Sequence, residues 1–211
     1  MDIENTKRIL SLLNQMHPDA GCELHYNSIF ELLVAVILSA QCTDKRVNII
    51  TDKLFQKYNK PLDFAYLRNE DLSPLIYSCG FYSNKGKNII DASRIIHEKF
   101  YDVVPNSMEG LIGLPGVGRK TASVILSVGY GIPAVPVDTH VFRVANRIGL
   151  SMGSTPDRVE KDLKELFEKS DWNKLHHSLI FHGRYICKSQ KPQCERCLLS
   201  QECFHFKSKL F

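Results

Sequence analysis

The sequence predicts an all-α fold, and three observations support that prediction. Apolar residues recur at intervals of three and four residues along most of the chain, as they do on one face of an amphipathic helix. Residues that favour helix N-termini precede several of these stretches, for example Ser28 and Thr155. The apolar–polar alternation that predicts a β-strand is confined to a few residues near Pro133.

The first half of the chain is predicted to consist of short and medium helices. Ser28 and Glu31 have the spacing of a capping box, and the helix that follows is apolar almost all round, which is typical of a buried central helix. Asp44 is predicted to cap the next helix. The predicted helices cover residues near 9–16, 29–39, 44–55, 64–68, 72–79 and 88–100.

Three longer helices are predicted in the second half. Asp138 has the position of an N-cap residue, and Gly149 has the position of a C′ glycine at the other end of the same helix. Thr155-Pro156 has the cap-then-proline order that opens a helix. The last long helix is predicted at residues 172–187.

Composition excludes several classes of protein. A chain of 211 residues that is 44% hydrophobic can form one large domain or two small ones. No apolar run approaches the roughly 20 residues that span a bilayer, and the N-terminus lacks a signal-peptide core, so a cytoplasmic protein with no membrane partner is expected. Seven cysteines, an odd number, argue against a disulfide framework; three of them, Cys22, Cys42 and Cys79, are predicted to be buried small hydrophobic residues.

The net charge of +4 is compatible with nucleic-acid binding but is not diagnostic of it. Its distribution is more informative, because the segment from Arg184 to Phe211 alone carries a net charge of +4. Only Glu195 and Glu202 oppose the basic residues there. Those basic residues are Arg184, Lys188, Lys191, Arg196, Lys207 and Lys209.

The stretch from Leu111 to His140 carries the first strong motif. A short apolar turn leads into Leu-Pro-Gly-Val-Gly at residues 114–118, and a helical pattern follows with Lys120 in its first turn. A helix N-terminus directly after two glycines exposes unpaired N–H groups that can bind a phosphate. The pattern predicts a helix-hairpin-helix, which binds a nucleic-acid backbone without reading its sequence.

Two other interpretations of this stretch compete with the hairpin. A nucleotide-binding P-loop requires Gly, four residues and then Gly-Lys-Ser/Thr. Gly113 and Gly118 have that separation, but Arg119 intervenes before Lys120 and no β-strand pattern precedes them. An ordinary glycine turn between two core helices, with a solvated lysine, remains open from this stretch alone.

The second strong motif is a group of four cysteines near the C-terminus: Cys187, Cys194, Cys197 and Cys203. They are separated by six, two and five residues, so four thiolates fall within seventeen positions. Structural zinc usually takes two short Cys-x-x-Cys pairs separated by a longer loop, and only Cys194 and Cys197 form such a pair. The spacing therefore favours a single 4Fe–4S cluster over zinc.

Three segments combine in one order: Leu-Pro-Gly-Val-Gly-Arg-Lys-Thr-Ala, Val-Asp-Thr-His-Val-Phe-Arg-Val, and His-Gly-Arg-Tyr before the cysteine loop. Together they resemble the endonuclease III family of helix-hairpin-helix-GPD DNA glycosylase/AP lyases, over residues 9–203. The resemblance implies two helical domains that flank a catalytic cleft. A six-helix domain would cover residues 22–132, and a 4Fe–4S cluster domain would combine residues 1–21 and 133–211.

The resemblance also implies roles for single residues. Lys120 matches the family's nucleophile and Asp138 its catalytic carboxylate, although a plain N-cap is the alternative for Asp138. Gln41 matches the glutamine that fills the gap left by an extruded nucleotide. Phe81 falls where a leucine wedge is usual, a departure that bears on opposite-strand preference; a core aromatic is the alternative. Further DNA contacts are expected from Gly116, Gly118, Arg119, Lys188, Lys191 and Arg196, and cluster ligation from Cys187, Cys194, Cys197 and Cys203.

The expected activity is removal of oxidised pyrimidines from damaged double-stranded DNA, followed by β-elimination at the abasic site through a Schiff base on Lys120. A monofunctional mismatch glycosylase is one alternative, and the lysine argues against it. A non-catalytic iron–sulfur DNA-binding protein is another, and the pair of Lys120 and Asp138 argues against that. The protein is expected to act as a monomer and to associate with the bacterial nucleoid through DNA.

Overall fold

The computed structural model describes residues 3–208, and every regular element in that range is a helix. This confirms the predicted all-α class. Lys209, one of the basic residues counted above, lies outside the described range. Within that range, no helix is long and apolar enough to cross a membrane.

The elements follow one another along the chain with short connections. The α-helices are α1 Ile3–Met16, α2 Ile29–Ser39, α3 Asp44–Leu54, α4 Pro61–Ala65, α5 Asn69–Ile76, α6 Tyr82–Phe100, α7 Met108–Ile112, α8 Arg119–Val124, α9 Thr139–Ile148, α10 Pro156–Leu166, α11 Trp172–Tyr185 and α12 Phe204–Lys207. A π-helical turn, Ile125–Gly129, continues α8 directly. Short 3-10 turns lie at Lys169–Asp171 and Cys194–Arg196.

The chain divides into two compact units, Glu23–Ile132 and Met1–Cys22 with Pro133–Phe211. The first unit is organised around α2, whose residues 30–38 are all buried. The Ser28 hydroxyl caps this helix by accepting from the N–H of Glu31 at 3.1 Å, as its sequence spacing predicts. Helices α3, α6 and α8 and the π-turn pack on α2, and α4 and α5 pack on α6.

The second unit has its own apolar core. Helix α11 packs on α1 and α9, and α10 and α12 also pack on α9. The fully buried members of this core include Ile9, Leu13, Val141, Val144, Leu163, Leu175 and Leu179. Gly149 ends α9 with a φ of 97°, a left-handed conformation that glycine adopts without a steric penalty, so the predicted C′ glycine is confirmed. Thr155 caps α10 as predicted.

Several predicted helix ends were wrong. Thr43, not Asp44, caps α3, because its hydroxyl accepts from the N–H of Arg46 at 3.3 Å. Helices α4 and α5 each begin three residues before their predicted starts. Helix α11 ends at Tyr185, two residues before its predicted end at Cys187. Helix α6 begins at Tyr82, six residues before its predicted start, because its first turns bury a lysine and a glycine instead of apolar side chains.

The predicted burial of the three isolated cysteines was only partly right. Cys79 is fully buried, as expected of a small hydrophobic residue. Cys22 and Cys42 are half-buried, since both lie in the connections before and after α2. All seven cysteines lie within residues 3–208, and none of them forms a disulfide there.

Candidate functional site

The predicted hairpin lies between α7 and α8, at Leu114 to Gly118. Leu114 and Val117 are buried and anchor it, and the N–H of Val117 donates to the carbonyl of Leu114 at 3.1 Å. Gly116 has a φ of 78°, and a Cβ there would lie 2.8 Å from Cβ of Asn88. Glycine is therefore required at Gly116 by both conformation and space.

Gly118 has a different role from Gly116. It is the N-cap residue of α8, its φ of −87° is open to any residue, and a Cβ there would meet nothing within 4 Å. The absence of a side chain leaves the first turn of α8 open to the approach of another backbone. Arg119 and Lys120 follow directly, and both are exposed.

The helix that carries Lys120 changes from α to π geometry at Ile125. Single π-turns inside helices are rare and occur frequently at functional sites. Gly129, the last residue of the π-turn, packs against α2, where a Cβ would lie 3.2 Å from Cγ2 of Ile29. The sequence contains no local signal for this turn, and it was not predicted.

Asp138 is the N-cap of α9, as predicted, and it belongs to the unit that contains Pro133–Phe211. The N–H of Val141 donates to its Oδ1 at 2.7 Å. Among the described residues its Oδ2 has no hydrogen-bond partner. The side chain is half-buried, so the helix fixes the orientation of a carboxylate that keeps one oxygen free.

Two residues predicted to touch DNA in the first unit share an unusual backbone conformation, which Lys191 of the cysteine loop also has. Gln41 and Phe81 have φ values of 54° and 58°, in the left-handed region. For a residue with a Cβ this conformation costs about 1–2 kcal/mol, and such strain is concentrated at functional sites. Gln41 is exposed, and Phe81 is 67% exposed, so Phe81 is not a core aromatic residue.

The predicted basic contacts lie on the cysteine loop. Lys188, Lys191 and Arg196 are all exposed. Lys191 has a φ of 49°, and the guanidinium of Arg196 donates to Oε1 of Gln193 at 3.3 Å. The loop therefore presents three positive charges to solvent, within nine residues of one another.

All four predicted cysteine ligands line one cavity of the second unit. Arg147 and His182 line it too. The NH1 of Arg147 lies 3.6 Å from Sγ of Cys187, and Nε2 of His182 lies 3.6 Å from Sγ of Cys197. The Arg147 guanidinium donates to the Cys187 sulfur, and a donor beside sulfur stabilises the thiolate form that metals bind.

The four cysteine thiols lie around one cavity of the second unit. Within residues 3–208, no group of three or more His, Cys, Asp or Glu side chains is arranged so that it could hold a metal ion. Burial raises the pKa of the Cys197 thiol to about 11 and raises that of Cys203. Among the described residues that line the cavity there is no carboxylate side chain, and its sulfur donors fit an iron–sulfur cluster.

Two arginines that were not predicted connect α9 to the cysteine loop. Arg143 donates to the carbonyls of Gly183 at 2.9 Å and Cys187 at 3.2 Å. Arg147 donates to those of Lys188 at 2.7 Å and Ser189 at 2.9 Å. Their spacing of four residues puts both on one face of α9, and this was the only sequence signal for them.

Comparisons with known proteins agree with this set of features. A family model of the HhH-GPD superfamily of base excision DNA repair proteins matches residues 34–169. Endonuclease III of Rickettsia conorii is 45% identical over 206 residues, which are 98% of this chain and 98% of that protein. Endonuclease III of Bacillus subtilis is 46% identical over 204 residues, 96% of this chain and 93% of that protein.

A solved structure also matches over the full length. It is a trapped endonuclease III–DNA covalent intermediate, an estranged-adenine complex, with a TM-score of 0.94 and 43% sequence identity. The match covers 100% of both chains.

Proposed function

The chain belongs to the HhH-GPD superfamily of base excision DNA repair proteins, and on that premise we propose that Lys120 and Asp138 carry its chemistry. The protein is a bifunctional DNA glycosylase/AP lyase of the endonuclease III type, which acts on oxidised pyrimidines. The observation that carries the assignment of residues is the exposed Lys120, in the first turn of α8 and two residues after the open Gly118 of the hairpin. A protein trapped covalently on DNA requires a nucleophile of this kind.

Lys120 would act as the nucleophile in its neutral amine form. Its Nζ forms a bond to C1′ of the damaged nucleotide, and the bond from C1′ to the base breaks with its electron pair leaving on the base. Loss of a proton and opening of the sugar ring give a Schiff base. The Schiff base acidifies the C2′ proton, and β-elimination then breaks the C3′–O bond on the 3′ side.

Asp138 would stabilise the positive charge that develops at C1′ as the base leaves. A carboxylate fixed by a helix N-terminus needs no reorganisation when that charge forms. Its bond to Val141 uses Oδ1, which leaves Oδ2 for the sugar or for the proton of the lysine.

The damaged nucleotide must leave the duplex before it can react. We propose that Gln41 and Phe81 fill and wedge the gap, and both are exposed on strained backbone. The hairpin glycines and Arg119 would hold the phosphate backbone, with Lys188, Lys191 and Arg196 as further positive contacts. The partner would be damaged double-stranded DNA, bound by a monomer and keeping the protein at the nucleoid.

Cys187, Cys194, Cys197 and Cys203 would hold a 4Fe–4S cluster in the cavity that they line. Such a cluster would cross-link the C-terminal loop, much as a structural metal adds to the folding free energy of a small domain. Arg147 would donate to the Cys187 sulfur from α9.

The assignment is tested on a duplex with a single thymine glycol, by measuring base release and strand cleavage separately under single-turnover conditions. We expect Lys120→Ala to lose both activities. Asp138→Asn keeps a good N-cap residue and should retain wild-type stability, while base release slows about 10²–10³-fold. Lys53→Ala, an exposed lysine of α3, is the matched control and should keep full activity.

Two results would contradict the assignment. Strand cleavage by Lys120→Ala at the wild-type rate would exclude the lysine as nucleophile. An Asp138→Asn variant with unchanged base release would reduce Asp138 to a structural cap.

A further inference from the structure

Lys85 is a buried lysine whose function the proposed chemistry does not explain. Its side chain lies in the first unit at the start of α6 and is buried, with the residue only 6% exposed. The ammonium Nζ donates to the carbonyl of Leu38 at 2.9 Å and to that of Ala40 at 2.7 Å. A buried cation is costly unless it is hydrogen-bonded, so both bonds are important for keeping Lys85 inside.

The two acceptors lie at the C-terminal end of α2. The last carbonyls of a helix have no partner within the helix, and the helix dipole makes that end negative. A lysine that reaches it from another helix satisfies the carbonyls and neutralises the dipole. Lys85 thus fastens the start of α6 to the end of α2, across more than forty residues of sequence.

The bond to Ala40 acts directly on Gln41. The carbonyl of Ala40 belongs to the peptide group that joins these two residues, so its orientation is coupled to the φ of Gln41. Gln41 has left-handed backbone, which persists in a residue with a Cβ only where the surroundings impose it. The N–H of Cys42 donates to the carbonyl of Ser39 at 3.0 Å and closes the turn behind it.

The backbone of the same lysine acts on Phe81. The N–H of Lys85 donates to the carbonyl of Phe81 at 3.1 Å, the first hydrogen bond of α6. Lys85 therefore contacts the peptide group before Gln41 through its side chain and the carbonyl of Phe81 through its backbone N–H. Gln41 and Phe81 are both exposed, and both have left-handed backbone.

We propose that Lys85 is a positioning residue for lesion recognition. It holds Gln41 and Phe81 in fixed relation, so that they enter the duplex as one preformed unit when the damaged base leaves. This inference rests on the proposed DNA contacts of those two residues. It assigns Lys85 to extrusion of the base and not to the bond-breaking steps.

The test compares two substrates with Lys85→Met, which keeps much of the side-chain volume and removes the donors. A thymine glycol duplex requires extrusion of an intact base, whereas a duplex with a preformed abasic site has no base to extrude. We expect kcat/KM for thymine glycol to fall about tenfold to a hundredfold, as for other misplaced recognition groups. Strand cleavage at the preformed abasic site should stay within about threefold of wild type.

Two controls separate positioning from general damage. Lys99→Met changes an exposed lysine at the far end of α6 and should match the wild type on both substrates. Combining Lys85→Met with Gln41→Ala should add little to the loss caused by Gln41→Ala, because a residue that acts through another is non-additive with it. Fully additive losses would overturn the proposal, as would equal losses on both substrates or no loss on either.

The failure of this inference is distinguishable from that of the proposed function. A wild-type protein inactive on both substrates would overturn both, whereas an active wild type with an unaffected Lys85→Met variant would overturn the inference alone. If Lys85→Met does not fold, Lys85→Arg takes its place, since the longer guanidinium keeps a cation while displacing the Ala40 carbonyl. It should show the same selective loss on thymine glycol, and wild-type activity on both substrates would contradict the proposal.

Discussion

The hairpin region and the cysteine region are built by different means. In the unit Glu23–Ile132, the residues proposed to touch DNA are exposed, and three of them, Gly116, Gln41 and Phe81, have positive φ, whereas Lys191 alone has it among the proposed contacts on the cysteine loop. In the cysteine-bearing unit, half-buried arginines fix a loop through hydrogen bonds to its carbonyls. The hairpin region should thus be sensitive to substitutions that change backbone conformation. The cysteine region should be sensitive to the loss of arginine hydrogen-bond donors and of cysteine ligands.

The largest effect is expected at the cysteine cavity. Cys194→Ser should lose the iron and sulfide of the purified protein, because a cluster of this type requires all its thiolates. Iron and sulfide analysis, together with the visible absorption of the protein, measures the loss. Cys22→Ser, a half-buried cysteine that does not line the cavity, should keep the full iron content. Full iron content in Cys194→Ser would contradict the proposed ligand set.

A smaller effect is expected at the hairpin. Gly116→Ala must place a Cβ 2.8 Å from that of Asn88 at a φ of 78°, so unfolding should become easier by about 2–3 kcal/mol. Gly118→Ala has open space and an ordinary φ, and should change the free energy of unfolding by about 0.5 kcal/mol or less. Urea denaturation measures both.

The effect of Gly118→Ala should appear in DNA binding and not in stability. Gly118→Ala should weaken binding to duplex DNA if the phosphate backbone approaches the open first turn of α8, as we propose, because the added methyl group would occupy that space. Equal affinity of Gly118→Ala and the wild type would show that this opening of the hairpin is not a contact surface.

The smallest effect is expected from the arginine that fixes the cysteine loop. Arg147→Met removes donors to the carbonyls of Lys188 and Ser189 and should cost about 1–2 kcal/mol of stability. Arg68→Met, which removes an exposed ion pair with Asp71, should cost less than about 1 kcal/mol. Thermal unfolding of both variants measures the difference. An equal shift in Tm would contradict the idea that the hydrogen bonds of Arg147 to the cysteine loop stabilise the fold more than a surface ion pair does.

Sequence reasoning worked where one residue carries its own local signal. Ser28, Asp138 and Thr155 were predicted as N-caps because a short polar side chain before an apolar helix has few other uses. Leu-Pro-Gly-Val-Gly predicted the hairpin, and the cysteine spacing predicted four thiols around one place.

Sequence reasoning did not reach features that depend on distant contacts. The start of α6 was missed because Lys85 and Gly86 are buried there, where apolar periodicity cannot detect them. A Cβ on Gly86 would lie 2.4 Å from Oδ1 of Asn69, so a residue of α5 sets that requirement. The positive φ of Gln41 likewise occurs beside a contact from a distant element, because the carbonyl of Ala40 accepts a hydrogen bond from Lys85 of α6.

The most direct test of the account is borohydride reduction during reaction with a duplex that carries one thymine glycol. Reduction converts a Schiff base into a stable amine, so the protein should become linked to DNA, and peptide mass spectrometry should locate the link at Lys120. The Lys120→Ala variant should form no adduct. Base release without an adduct, or an adduct at another lysine, would contradict the assignment of Lys120 as the nucleophile.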